Sequence, residues 1–184
     1  GQWLFEDMSF ELSRGERVFL AGDNGCGKSS LIKAILQTAE GKPDERMEKK
    51  GVLETASGLV ISYINQDTSF LKGTVKEFCR ARKLEESLFL ALLRKLDMNR
   101  EQFGKNMEEY SEGQKKKVLI AASLMTPAHL YIWDEPLNYI DVFSRMQIEK
   151  LIATYEPTML LVEHDVRFRE EIATKVLEIY RQTV

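Results

Sequence analysis

Apolar residues along this chain either alternate with polar ones or run unbroken for four or five positions, in short segments separated by turn-forming residues. At the start, LFEDMSFEL (residues 4–12) and RVFLA (17–21) flank the turn Ser13-Arg14-Gly15-Glu16, which predicts an antiparallel edge layer leading into the core. SSLIKAILQ (29–37) has the apolar spacing of a helix, and GLVISYI (58–64) returns to strand character. Residues 39–51 between them are charged and contain Pro43, so they read as a solvated loop. From residue 74 to about 106 the pattern is helical and strongly charged, with leucines at 84, 88, 92, 93 and 96. This predicts a helical lobe of modest size, spanning approximately 74–117.

Beyond Ser111 helices and strands alternate cleanly. A helix over 113–125 stops near Pro127, followed by a strand at 130–133, a helix at 142–155, a strand at 158–162, a helix at 166–173 and a strand at 175–180. That order predicts an α/β domain with a mostly parallel sheet covered on both faces. There is no internal repeat or low-complexity segment. The basic runs at 80–83 and 115–117 read as solvated helix faces.

A chain of 184 residues with 43% hydrophobic content can bury one full core, so a single domain over 1–184 is expected. The net charge of −3 argues against a protein that coats nucleic acid by bulk electrostatics. Two cysteines, Cys26 and Cys79, make no disulfide framework and suit a reducing compartment. No run approaches the ~20 apolar residues of a membrane span, and no signal-peptide layout is present, so a soluble, cytoplasmic protein is expected. Gly1 precedes QWLFEDMSF without an initiator Met, which suggests a domain excised from a longer chain.

Chemistry enters with the eight residues Gly22, Asp23, Asn24, Gly25, Cys26, Gly27, Lys28 and Ser29, a full match to G-x-x-x-x-G-K-[ST] between a predicted strand and a predicted helix. Glycines let the main chain approach a phosphate, and amide N–H groups converge on it. Lys28 supplies a compact positive charge to the outer phosphates, Ser29 a hydroxyl to Mg²⁺, Ser30 a further phosphate contact, and the helix start its partial positive charge.

Three further segments sit at predicted strand ends, where ligands bind in open parallel sheets. LYIW runs into Asp134 and Glu135, the first placed to hold Mg²⁺ and the second to orient and deprotonate an attacking water. TMLLV runs into Glu163-His164-Asp165, which puts His164 on the same rim, whereas His129 reads as structural or merely exposed. Gln66 follows the 58–64 strand and offers a neutral oxygen to metal or water. Ser111, Glu112, Gly113 and Gln114 open a helix, with Ser111 as its cap. Such a helix start is also an anion site that could receive a phosphate from a nucleotide bound elsewhere.

In this order the pieces resemble the ATP-binding-cassette (ABC) nucleotide-binding domain, a P-loop NTPase fold, along essentially the whole chain. Residues 22–29 resemble its Walker A loop, Gln66 the Q-loop, Ser111 to Gln114 the signature, residues 130–135 the Walker B strand, residues 137–141 the D-loop and His164 the switch histidine. Glu112 departs from the pattern, which commonly has a second glycine there. Neither Trp3 nor Phe5 aligns with the adenine-stacking aromatic expected upstream. WDEPLNYIDV and VEHDVRF resemble the F subfamily, soluble proteins with two cassettes on one chain that act on ribosomes. Among these the Leu-Asn-Tyr-Ile-Asp form is most similar to the antibiotic-resistance branch, and SEGQKKK to its second, C-terminal cassette.

The resemblance implies ATP and Mg²⁺ as cofactors, Mg-dependent ATP hydrolysis, and a second cassette that completes each site, from the same polypeptide or a homodimer. Residues 22–30 and Gln66 would bind nucleotide, Ser29, Gln66 and Asp134 the metal, and Ser111, Gly113 and Gln114 the partner's nucleotide. Glu135 and His164 would carry the chemistry. It also implies a ribosome as partner of the full-length protein. Two other readings share these residues: the ATPase subunit of a membrane transporter, and a nucleotide-operated binding module with little hydrolysis. A chromosome-maintenance ATPase head fits less well, since no coiled coil separates Gln66 from the signature.

Overall fold

The computed structural model describes residues 8–42 and 51–180. Five strands form one sheet in the order β2-β3-β4-β1-β5, and every pairing is parallel. They are β1 (Arg17–Ala21), β2 (Ile61–Ile64), β3 (Leu130–Asp134), β4 (Met159–Val162) and β5 (Lys175–Glu178). Helices α1 (Lys28–Ala39), α2 (Val75–Arg82), α3 (Glu86–Lys95), α4 (Glu112–Met125), α5 (Val142–Tyr155) and α6 (Val166–Ile172) connect them. The predicted α/β architecture with a parallel sheet is therefore present.

Successive strand residues point to opposite faces, and two cores result. Val18, Leu20, Leu130, Ile132, Leu160 and Val162 meet Leu31, Ile32 and Ile35 of α1 on one side. Phe19, Trp133, Met159 and Leu161 face the other, where the core continues through Val118, Ala121 and Ala122 of α4 into Phe89, Leu93 and Leu96 of the helical segment. Phe19 and Phe168 meet there at 6.0 Å in a tilted arrangement. A polar knot in this core is satisfied: Trp133 Nε1 donates to Ser123 Oγ at 2.9 Å, and Ser123 shares a 2.8 Å bond with Ser62.

The lobe predicted at 74–117 contains α2, α3, two short 3₁₀ turns (Arg100–Gly104 and Met107–Glu109) and the first turns of α4. A capping box at Thr74 and Glu77 starts α2, and the Glu85 side chain caps α3 through Ser87 N and Leu88 N. Lys83 in the left-handed region ends α2. Of the predicted leucines, Leu93 and Leu96 are fully buried, while Leu88 is exposed. Cys79 is buried as well, and burial, with Glu86 and Glu85 nearby, pushes its thiol up to about 11.

Two expectations need correction. Arg17–Ala21 is not part of an antiparallel edge but lies inside the sheet, between β4 and β5. Within LFEDMSFEL, residues 4–7 lie outside the described residues, and residues 8–12 form no ladder, although Met8, Phe10 and Leu12 alternate inward against the α1-side core. The lysine run at 115–117 is not a solvated face either: Lys116 and Lys117 are 3% and 6% exposed. Their charges are met by partners from other segments, the Asn65 and Gln66 carbonyls for Lys116 and Asp141 for Lys117. The run at 80–83 is exposed as expected, with Arg82 over the Phe78 ring at 4.9 Å. Residues 43–50 of the predicted charged loop, and Trp3 and Phe5, lie outside the described residues.

Candidate active site

Four of the five sequence segments with candidate chemistry leave the carboxyl ends of neighbouring strands, which gathers them on one rim of the sheet, whereas Ser111–Gln114 opens α4 after a 3₁₀ turn. The phosphate loop follows β1. Gly22 has φ 145°, and a Cβ there would collide with the Ile179 carbonyl, so only glycine fits. Gly27, at φ 108°, is the N-cap of α1 and supplies no side-chain cap, which leaves the first-turn amides of a twelve-residue helix free for an anion. Asp23, Asn24, Gly25 and Ser29 are exposed, whereas Cys26 is buried behind the loop. Lys28 is 7% exposed, and its ammonium donates to the carbonyls of Gly22 at 2.7 Å and Asp23 at 3.0 Å. The cation is thus held across the mouth of the loop.

Ser29 and Asp134, 105 positions apart, meet at 3.3 Å through Ser29 Oγ and Asp134 Oδ2. Asp134 ends β3, and its second oxygen, Oδ1, is buried with no hydrogen-bond partner. Burial first, and the neighbouring Glu135 second, raise its pKa above the ordinary carboxylate value, against Ser29, Lys116 and Lys28. A buried, unpaired carboxylate oxygen beside a hydroxyl is a costly arrangement for the protein alone and suits a hard cation. The donor set therefore fits Mg²⁺. Among the described residues no group of three His, Cys, Asp or Glu could cage a metal, so such an ion would draw its remaining oxygens from phosphate and water.

Glu135, at φ 52°, is turned away from the strand direction while its amide still bonds Val162 O at 2.8 Å. Its carboxylate lies between two side chains. Asn138 Nδ2 donates to Oε2 at 3.0 Å, and His164 Nε2 lies 3.4 Å from Oε1. Glu163 braces this corner, accepting from Leu137 N at 3.1 Å and from His164 N at 2.8 Å. Sequence reasoning assigned no role to Asn138 or Glu163, although both fall inside the segments it singled out.

The helix start behaves as a cap should. Ser111 Oγ accepts from Gln114 N at 3.3 Å, and Gln114 Oε1 accepts from Ser111 N at 3.0 Å. Gly113 is required by close approach, since a Cβ would lie 2.5 Å from the Tyr139 carbonyl oxygen. Glu112 is tied down by Lys115 at 3.0 Å and Thr68 at 2.8 Å, which hold its carboxyl below the usual range. Ser111, Gly113 and Gln114 make no hydrogen bond to residues 22–29 among the described residues. Gln66 is exposed, and its side chain makes no hydrogen bond to Ser29 or Asp134; only its main-chain carbonyl is engaged, by Lys116. His129 is structural, its Nδ1 accepting from Val60 N at 2.9 Å.

Comparison with known proteins agrees with this geometry. A family model described as ABC transporter matches residues 5–138. The ATP-binding protein Uup of Buchnera aphidicola is 31% identical over 183 residues, covering 94% of this chain and 29% of its own length. ABC transporter F family member 5 of Arabidopsis thaliana is 27% identical, covering 96% of this chain and 25% of its own. The chain thus spans about a third or less of these relatives. Among solved structures, an archaeal ribosome recycling factor in complex with a ribosomal stalk protein superposes with a TM-score of 0.70 at 27% identity, over 91% of this chain and 32% of that one. An ATP-binding subunit of an ABC transporter shares the fold, with a TM-score of 0.78 at 22% identity over 98% of this chain and 82% of that one. The matched family model takes in the phosphate loop, Gln66, the α4 helix start and the Asp134–Glu135 pair, and the chain belongs to the ABC transporter family as one of its ATP-binding cassettes.

Proposed function

We propose that this chain is an ATP-hydrolysing cassette of a ribosome-associated ABC-F protein, the second of two cassettes, and that the whole protein protects ribosomes against antibiotics. The observation that carries the hydrolytic reading is the Glu135 carboxylate, held by Asn138 and His164 one residue beyond the half-paired Asp134. The F-subfamily reading draws on the residues at 133–142 and on two relatives, ABC transporter F family members 5 and 2 of Arabidopsis thaliana.

The residues divide the work as follows. Amides of residues 22–30 and the Lys28 ammonium bind the phosphates of ATP. Ser29, Gln66 and Asp134 would hold Mg²⁺, which neutralises phosphate charge when bound. Glu135 takes the proton of the attacking water, while Asn138 and His164 fix the carboxylate that receives it. Ser111, Gly113 and Gln114 face a partner's nucleotide, so each complete site needs two cassettes. ATP favours the closed pair and hydrolysis releases it.

A transporter subunit is the second reading. It draws on the matched family model, described as ABC transporter. Sedimentation of the full-length protein with ribosomes and with membranes decides between them. Co-sedimentation with ribosomes in ATP is expected, and association with membranes alone would overturn the ABC-F reading.

A further inference from the structure

Glu112 and Lys116 stand four residues apart on α4 and so share one helix face. Both reach the segment that carries Gln66. The Lys116 ammonium, buried at 3% exposure, donates to the main-chain carbonyls of Asn65 at 3.1 Å and Gln66 at 3.3 Å. Glu112 Oε2 accepts from Thr68 Oγ1 at 2.8 Å, and Thr68 is itself buried at 7%. One grip falls on the main chain at Gln66 and the other two residues beyond it. Between them the turn is stiffened from within, by Asn65 Oδ1 to Asp67 N at 3.1 Å and Asp67 Oδ1 to Ser69 N at 2.8 Å.

The electrostatics suit a fastening rather than a surface contact. Burial pulls the Lys116 ammonium below the usual lysine range, while Glu112, Asp134, Glu135 and Glu163 all favour its charged form. Lys115 occupies the other Glu112 oxygen at 3.0 Å, so this carboxylate, which stands at the helix N-terminus, is committed on both sides.

We infer that Glu112 and Lys116 are positioning residues that fasten the Gln66 segment to the first turns of α4, so that Gln66 and the phosphate-facing helix start at Ser111 and Gly113 move as one unit. This rests on the ATP-site reading given above. On that reading Gln66 serves the cassette's own nucleotide and the helix start serves the partner's. The fastening therefore joins two half-sites within one cassette through side chains, one of which replaces the glycine common at that position. A phosphate drawn to the helix start shifts Gln66 with it.

Amide hydrogen exchange on the nucleotide-free chain, paired with titrations of ATP in Mg²⁺ and in chelator, tests the inference. Lys116→Met removes the buried donor and Thr68→Val cuts the second grip from its buried side, whereas Glu112→Ala cuts it at an exposed position and keeps the test open if the buried variants fold poorly. Each variant is expected to speed exchange at residues 66–69 by at least about tenfold, the loss of one charge-assisted bond for Glu112→Ala and Thr68→Val and of two for Lys116→Met, with β3 amides unchanged. Mg-ATP affinity should fall by a similar factor, while metal-free ATP binding stays constant. Unchanged exchange at 66–69, or equal losses with and without Mg²⁺, would overturn it. A wild-type chain that binds no Mg-ATP would sink the functional reading instead, and the exchange comparison would still judge the fastening.

Discussion

Ser29 Oγ approaches one oxygen of Asp134 to 3.3 Å and leaves the other buried without a partner. The protein therefore keeps a carboxylate in a place where, on its own, it is destabilising. Its pKa is raised on folding, so the penalty is present above the folded value and fades as the pH drops below the ordinary carboxylate range. Asp134→Asn is expected to stabilise the nucleotide-free chain at pH 7 by about 1 kcal/mol, ~2–4 °C in Tm. The same variant should lose the Mg²⁺ dependence of ATP binding. Calorimetric melting at pH 7 and pH 3 checks the first claim, since the gain should disappear at the lower pH.

On the proposed reading, replacing Glu135 by Gln removes the proton acceptor and little else. ATP binding should persist, while turnover of the full-length protein drops by at least ~100-fold, as expected for loss of a general base. Near-normal turnover would show that another group receives the proton.

Asn138 makes a subtler claim on the same carboxylate. Asn138→Leu should lower kcat by about tenfold with KM unchanged, the cost of one hydrogen bond to a charged group that acts only on the base. Steady-state kinetics separate this from a folding defect, which would lower active-site concentration and leave the pH profile alone; misplacement of Glu135 should move that profile.

Lys28→Ala takes a donor from the Gly22 and Asp23 carbonyls and, on the proposed reading, a cation from the phosphates. Affinity for ATP should fall by roughly 10- to 100-fold. Isothermal titration with ATP and with adenosine checks the cause, because the nucleoside carries no phosphate and should bind both proteins alike.

Asp141 offers a test in acid. Burial pushes its carboxyl up, but the Lys117 ammonium at 2.6 Å and the Ser144 amide and hydroxyl outweigh it, holding the pKa at about 2. A depressed carboxylate stabilises the fold above its ordinary value near 3.8, and that stability is lost as the pH falls toward 2. Asp141→Asn should cost about 1 kcal/mol at pH 7 after allowance for solvent screening, and only a small part of that at pH 2. Urea unfolding across that range gives the comparison.

Four pieces of the candidate site were legible because each follows a strand, and strand ends in a parallel sheet converge whatever lies between them, while the Ser111 helix start was legible from its capping residues. Helix α5 matches its predicted span of 142–155, and the other elements after Ser111 lie within two residues of prediction, since apolar runs and turn signals coincide there. The start of the chain was less legible. Met8, Phe10 and Leu12 do alternate inward, yet alternation records which face is covered and says nothing about ladder partners. Lys116 and Lys117 were misread for a related reason: three successive lysines look solvated until carbonyls and a carboxylate arrive from residues 65, 66 and 141. Those partners are far off in sequence, and no local pattern announces them. Asn138 and Glu163 were visible as letters but not as contacts, because their roles depend on how the turns after β3 and β4 fold against each other.

Strand β1 carries the phosphate loop, but its two neighbours come from the far end of the chain, with Arg17 beside Met159 and Val18 beside Lys175. On a translating ribosome the loop would leave the exit tunnel ahead of β4 and β5 and wait, with both edges of β1 unpaired, until they emerge. At about 5–20 residues per second that delay lasts on the order of ten seconds. A nascent fragment ending before β4 would hold every phosphate-binding residue of the loop and still bind no nucleotide. ATP-binding competence should therefore switch on late and abruptly during synthesis, and premature release should yield an aggregating fragment rather than a weak ATPase.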